Sequence, residues 1–181
     1  MVRLQSFRTR NRHRKPCPRL RMKIGYTTGV FDLFHIGHLN LLRNARSLCD
    51  KLVVGVTTDA LVAYKHKRAV MPYEERLEIV RSCRYVDAVV PQETMDKLAA
   101  WEKLRFDVMF VGDDWFKNAR WQKIEQQLAD VGVKIVYFPY TKGTSSTLIN
   151  EVLGRLRTGE IEEFAPGALM PQHLELQRRV A

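Results

Sequence analysis

Cysteine is scarce in this chain, and long apolar runs are missing. The three cysteines, Cys17, Cys49 and Cys83, are odd in number and share no metal-like spacing. A disulfide scaffold is therefore disfavoured, and a reducing, cytoplasmic setting is expected. Cys49 and Cys83 sit in apolar surroundings and read as packing residues. The longest apolar stretches, at 51–56 and 107–111, are strand-sized. None approaches the roughly 18 residues that a membrane helix needs, so a soluble protein without membrane insertion is expected.

Acidic residues are absent from the first 23 positions, which hold nine of the 30 basic ones. The formal net charge of +10 is thus concentrated in an extension, and the remaining 21 basic and 20 acidic side chains nearly cancel. Nucleic acid is expected as a partner only through that tail. The tail lacks the apolar stretch of a secretory signal, and its self-repulsion and two prolines favour disorder. Three readings stand: a solvated tail that touches anionic polymers, an organelle-targeting peptide, or a stretch upstream of a true start at Met22. The third is preferred, because the first strand begins at once at Met22.

At 181 residues and 45% hydrophobic content the chain suits one domain. From Met22 onward, strand and helix patterns alternate. Strands are expected at 22–28, 51–57, 86–90 (stopped by Pro91), 107–111 and 133–138. Helices are expected at 36–48, 73–83 (entered after Pro72), 95–104, 116–131 (closed by Gly132) and 145–155. This order predicts an α/β fold, a Rossmann-like doubly wound five-stranded parallel sheet with helices on both faces. Three regions follow: a basic extension at 1–21, a domain at 22–156, and an appendage at 157–181 with a short terminal helix near 172–179. In such a sheet the ligand lies at the carboxyl ends of the strands, near the topological switch point.

The first strand runs into Thr28-Gly29-Val30-Phe31-Asp32-Leu33-Phe34-His35-Ile36-Gly37-His38. Gly29 lets backbone approach a ligand, and Gly37 removes a side chain where a phosphate could lie. His35 and His38 share one side of the first helical turn. With the free amides of a helix start they form a cradle for phosphate oxygens. The competing reading is two ordinary capping histidines.

This segment resembles the signature of the cytidylyltransferase branch of the HxGH nucleotidyltransferase superfamily. The resemblance is strongest to bacterial glycerol-3-phosphate cytidylyltransferases and runs from about Met22 to Leu156. It implies that His35 and His38 stabilise a triphosphate and that Val30 and Phe31 lie against the nucleotide, with Asp32 on the substrate side. A homodimer is implied by the resemblance alone.

Further motifs follow at the same edge. The run Tyr64-Lys65-His66-Lys67-Arg68 reads as a flexible cationic arm or as a solvated loop. By resemblance Lys65 contacts the acceptor phosphate and Lys67 the CTP phosphates. Arg76 and Arg84 lie in segments similar to those of glycerol-phosphate and choline-phosphate cytidylyltransferases. They serve phosphate binding or a dimer contact, or simply pair with nearby acids. The paired acids of Gly112-Asp113-Asp114-Trp115 follow a strand and either hold Mg²⁺ or cap the next helix; the segment resembles the glycerol-3-phosphate branch, which implies Asp113 at the nucleotide, while Asp114 reads as a helix cap. The last motif, Tyr140-Thr141-Lys142-Gly143-Thr144-Ser145-Ser146-Thr147, offers hydroxyls and amides at another helix start. The family pattern there is Arg-Thr-Glu-Gly-Ile-Ser-Thr-Thr. Thr141, Gly143, Ser145 and Thr147 match it, and Tyr140 replaces the arginine, with Lys142 two positions on.

The expected reaction is attack of an acceptor phosphate oxygen on the α-phosphorus of CTP, aided by Mg²⁺ carried with the CTP. The acceptor is a phosphorylated small alcohol, glycerol 3-phosphate being favoured. The attacking oxygen is already an anion, so no general base is required. His35, His38 and Lys67 would neutralise charge, and Lys65 would align the acceptor. No resident metal site is expected. An aminoacyl-tRNA synthetase is excluded by length and by the want of a Lys-Met-Ser-Lys-Ser-like segment. An adenylyltransferase of the same superfamily and a non-catalytic anion-binding module remain as alternatives.

Overall fold

Three aspartates set where strands begin. In the computed structural model, which describes residues 21–64, 68–113 and 119–158, Asp50 Oδ2 accepts from Lys23 N at 2.7 Å and Asp107 Oδ2 from Ile24 N at 2.8 Å. Asp87 Oδ2 accepts from Leu52 N at 2.7 Å. Each carboxylate satisfies an amide at the amino edge of the sheet, where the ladder has not yet started.

The strands are β1 (Ile24–Gly29), β2 (Lys51–Thr57), β3 (Ala88–Gln92), β4 (Val108–Gly112) and β5 (Lys134–Phe138). The helices are α1 (Ile36–Arg46), α2 (Asp59–Tyr64), α3 (Tyr73–Arg81), α4 (Lys97–Leu104), α5 (Ala119–Asp130) and α6 (Ser146–Arg157). All strand pairs are parallel, in the order β3-β2-β1-β4-β5. The chain therefore winds outward from β1 to β3, then crosses over and winds outward through β4 and β5. The switch point falls between β1 and β4, where the turns leaving the strands part and leave a crevice.

Leu52 to Thr57 are all buried, as a strand covered on both faces requires. Successive residues feed opposite cores. Leu52, Val54, Val56 and Phe110 join Leu42, Ala45 and Val80 beneath α1 and α3. Val53 and Met109 join Tyr26, Trp121 and Leu128 on the other face, under α4 and α5. Burial of these aliphatic and aromatic groups, at ~25 cal/mol per Å² of apolar surface, is the main force holding the layers together. Cys49 is buried and Cys83 half-buried, and both are free thiols. No helix among the described residues is long and apolar enough to cross a membrane.

The doubly wound sheet expected from the sequence is present, and two local expectations are corrected. Residues 59–64, where no helix is expected from the sequence, form α2. Thr58 opens it by accepting from Val62 N, and Leu61 and Val62 are buried beneath it. Those two apolar side chains outweigh the basic run that follows. Strand β3 continues through Pro91, which pairs with Val56. Being the sheet edge, β3 needs no donor on its outer side, so proline is tolerated. Gly132 has φ 81 at the end of α5, the left-handed closure expected of it. The extension before residue 21, Lys65, Lys67, Asp114 and the expected terminal helix lie outside the described residues.

Candidate active site

The turn after β1 is made by two non-glycyl residues with left-handed backbone, Phe31 at φ 55 and Leu33 at φ 48. This geometry sends the Phe31 ring inward. It is 2% exposed and belongs to the core under α1. A methyl group on Gly29 would lie 3.1 Å from that ring. Phe31, expected against the nucleotide, thus packs in the core, and Gly29 makes room for its ring. Val30 is half-buried and spends its carbonyl on Arg76.

Helix α1 is capped by the histidines themselves. His35 is the N-cap, with extended backbone, and its Nδ1 accepts from Gly37 N at 3.1 Å. His38 Nδ1 accepts in return from His35 N at 3.4 Å. This is the reciprocal arrangement usually built from a hydroxyl and a carboxylate. Because Nδ1 accepts on both rings, the proton of each neutral imidazole lies on Nε2. The ring centroids are 4.0 Å apart, and Phe31 and Phe34 flank His38 at 5.2 and 5.5 Å. Burial lowers the pKa of His35. Burial, then the neighbouring His35, push His38 down to about 3, against a smaller opposing pull from Asp32. Two neutral Nε2–H donors side by side suit an anion that brings its own charge. A methyl group on Gly37 would come within 2.8 Å of His35 Cε1, so this glycine makes room for the His35 ring.

The turn between β5 and α6 meets this one. Asn40 Nδ2 donates to Thr141 Oγ1 at 3.2 Å, and Ser146 Oγ donates to the Asp32 carbonyl at 2.6 Å. Gly143 supplies the left-handed bend at φ 101. Ser145 caps α6, its Oγ accepting from Leu148 N at 3.0 Å. Asp113, at the end of β4, accepts from Tyr140 N at 3.1 Å and braces the same loop. Thr144 is half-buried, while Thr147, Lys142 and Tyr140 are exposed. Two helix starts, with their amides and partial positive charge, thus meet at the switch point.

Other residues expected here have different roles. Arg76 is fully buried. Its guanidinium donates to Met71 O, Val30 O and Thr57 O and pairs with Asp59. It ties three backbone segments together and pairs with a nearby acid, one of the roles expected for it. Asp32 is likewise a tie: its carboxylate accepts from Val70 N at 2.8 Å, Met71 N at 2.9 Å and Leu33 N at 3.1 Å. Arg84 is exposed and lines a depression of about 550 Å³ with Phe34, Leu39, Ile79 and Tyr85 on the α1–α3 face.

One residue not singled out from the sequence stands at the same edge. Lys97 is 4% exposed, and its Nζ lies 3.3 Å from Thr28 Oγ1, at the carboxyl end of β1. A lysine at the start of an ordinary helix carries no sequence mark of burial. Asn40 was equally silent, and only its place one turn beyond His35 hints at its reach.

Comparisons with known proteins show the family. The family model described as cytidylyltransferase-like matches residues 26–152. The chain is 37% identical over 142 residues to a glycerol-3-phosphate cytidylyltransferase of Bacillus subtilis, using 75% of this chain and all of the relative. It is 32% identical over 142 residues to an FAD synthase of Pyrococcus abyssi, covering 76% of this chain and 92% of the relative. Among solved structures, a lipopolysaccharide core biosynthesis protein of Thermoplasma volcanium superposes with a TM-score of 0.58 at 23% identity, covering 67% of this chain and 98% of that one; this likeness speaks for the fold alone. With the converging turns, the twin histidine cap and these matches together, the chain belongs to the cytidylyltransferase-like family of nucleotidyltransferases.

Proposed function

We propose that this protein transfers CMP from CTP to a phosphorylated small alcohol, with glycerol 3-phosphate as first choice, and releases pyrophosphate. The observation that carries the reading is the meeting of the two turns through Ser146–Asp32 and Asn40–Thr141. It brings the two imidazoles and a hydroxyl-rich helix start to one end of the sheet. The relatives named glycerol-3-phosphate cytidylyltransferase support the choice of substrates.

In this reading an oxygen of the acceptor phosphate attacks the α-phosphorus, and the bond to the β-phosphate oxygen breaks. Both attacking and leaving groups are anions, so the task is alignment and charge dispersal. His35 and His38 donate from Nε2 to the triphosphate as negative charge moves toward the leaving pyrophosphate. Gly37 keeps the His35 ring in place. Thr141, Gly143, Thr144, Ser145, Ser146 and Thr147 hold the nucleotide from the α6 side, with Asp113 bracing their loop. Lys67 is assigned to the CTP phosphates and Lys65 to the acceptor. Mg²⁺ enters with CTP and spreads the triphosphate charge.

The proposal includes a homodimer formed through the depression beside Arg84, whose lining of Phe34, Leu39, Ile79 and Tyr85 is apolar for a protein surface. It also includes a cytoplasmic location, in keeping with free cysteines. Residues 22–156 are assigned as the catalytic domain, flanked by 1–21 and 157–181. Adenylyl transfer is the second reading, favoured by the FAD synthase relative and by Tyr140 standing in place of an arginine. Pyrophosphate release across four nucleoside triphosphates and a panel of alcohol phosphates separates the two. Turnover only with ATP would overturn the first reading, and no turnover with any pair would overturn both.

A further inference from the structure

Asp32 is flanked by the two left-handed residues Phe31 and Leu33. For side chains other than glycine that backbone is unfavourable, and it persists only where surrounding contacts over-determine it. Burial of Phe31 supplies one such contact. Asp32 supplies the others, and they reach far along the chain. Its two carboxylate oxygens accept from Val70 N and Met71 N, 38 and 39 positions away. Its carbonyl accepts from Ser146 Oγ, 114 positions away. Met71 is gripped from its other side as well, since its carbonyl accepts from Arg76 Nε at 3.0 Å. The same guanidinium reaches back to Val30 O, two residues before Asp32.

We propose that Asp32 is a positioning residue: it locks the histidine turn, the segment at Val70–Met71 and the start of α6 into one fixed relation. The strained turn stores the geometry, and the carboxylate keeps it from relaxing. The consequence for activity rests on the function proposed above. In that reading the nucleotide is held by the first and third segments, and the basic run assigned to both phosphates leads directly into the second. Loosening one residue then weakens both substrates together, although Asp32 touches neither.

The test uses the full chain and compares the parent with Asp32→Asn and Asp32→Ala. Asn retains one accepting oxygen and should fall between the other two. Backbone amide exchange at Val70 and Met71 reads the lock directly. In Asp32→Ala it is expected to quicken about tenfold or more, as for a lost charged acceptor. With CTP and glycerol 3-phosphate, kcat/KM is expected to fall about tenfold or more for both substrates in parallel. Unchanged exchange overturns the proposal, as does loss confined to one substrate, or faster exchange with unaltered kinetics. If Asp32→Ala does not fold, Val70→Pro removes one of the same bonds from the other side; its exchange is read at Met71 alone, with the same kinetic expectation. A parent that releases no pyrophosphate refutes the proposed function, and the exchange rates alone then decide whether the lock exists.

Discussion

Ser146 and Asp32 are 114 residues apart in sequence, yet the serine hydroxyl donates to the aspartate carbonyl at 2.6 Å. That bond closes the crevice at the switch point. It lets a turn from the first strand and a turn from the last act on one phosphate chain.

His38→Ala should lower kcat by about 10²-fold or more, in the range of losing one donor that acts mainly in the transition state. A melting curve should remain cooperative. Near-parent turnover in the folded variant would remove His38 from the chemistry.

Gly37→Ala separates activity from stability. Alanine is the better helix former by ~1 kcal/mol, which offsets crowding at the helix start. The added methyl group displaces the His35 ring, whose Cε1 would lie 2.8 Å away. A fall in kcat of about tenfold with little change in melting temperature is expected. Equal activity would mean that the His35 ring position does not matter.

Acid should destabilise the protein partly through His38. Its folded pKa is pushed down to about 3, below the ordinary 6.5 of a histidine. Between these values the unfolded chain binds the extra proton, so stability is full above pH 6.5 and declines as pH falls toward 3. Melting temperatures measured from pH 7 to pH 4 should drop less steeply in His38→Gln than in the parent. Parallel slopes would contradict a buried, neutral His38.

Arg76→Met should cost about 3 kcal/mol or more of unfolding free energy, because the carbonyls of Val30, Thr57 and Met71 lose a buried donor. Asp59→Asn should cost ~1 kcal/mol or less, since Asp59 is largely exposed and its ion pair is screened. Denaturant titration of the two variants distinguishes them. Equal effects would mean that the ion pair, not the backbone tie, is what Arg76 supplies.

The strands were legible because burial on both faces leaves apolar runs that no helix face imitates, as at Leu52–Val56. The turn at His35–His38 was legible because its residues sit between a strand and a helix. What the sequence hid was direction. Phe31 looks like an aromatic offered to a base until the sign of its φ turns it inward, and no residue type announces that sign outside glycine. Arg76 and Lys97 look like surface charges until tertiary contacts bury them. A sharper reading of spacing would have helped with Arg76, which shares a helical face with buried Val80. Helix α2 was obscured by the basic run after it, which outweighed two apolar residues in a short window.

The reciprocal histidine cap limits how this motif can be altered. Each imidazole spends its Nδ1 lone pair on starting a helix and keeps a donor on the opposite nitrogen. A lysine or arginine in either place brings positive charge but no lone pair, and so gives up the helix start in exchange for the charge. Only a side chain that accepts on one side and donates on the other can fill these positions. That requirement, rather than basicity, is why imidazole occupies both.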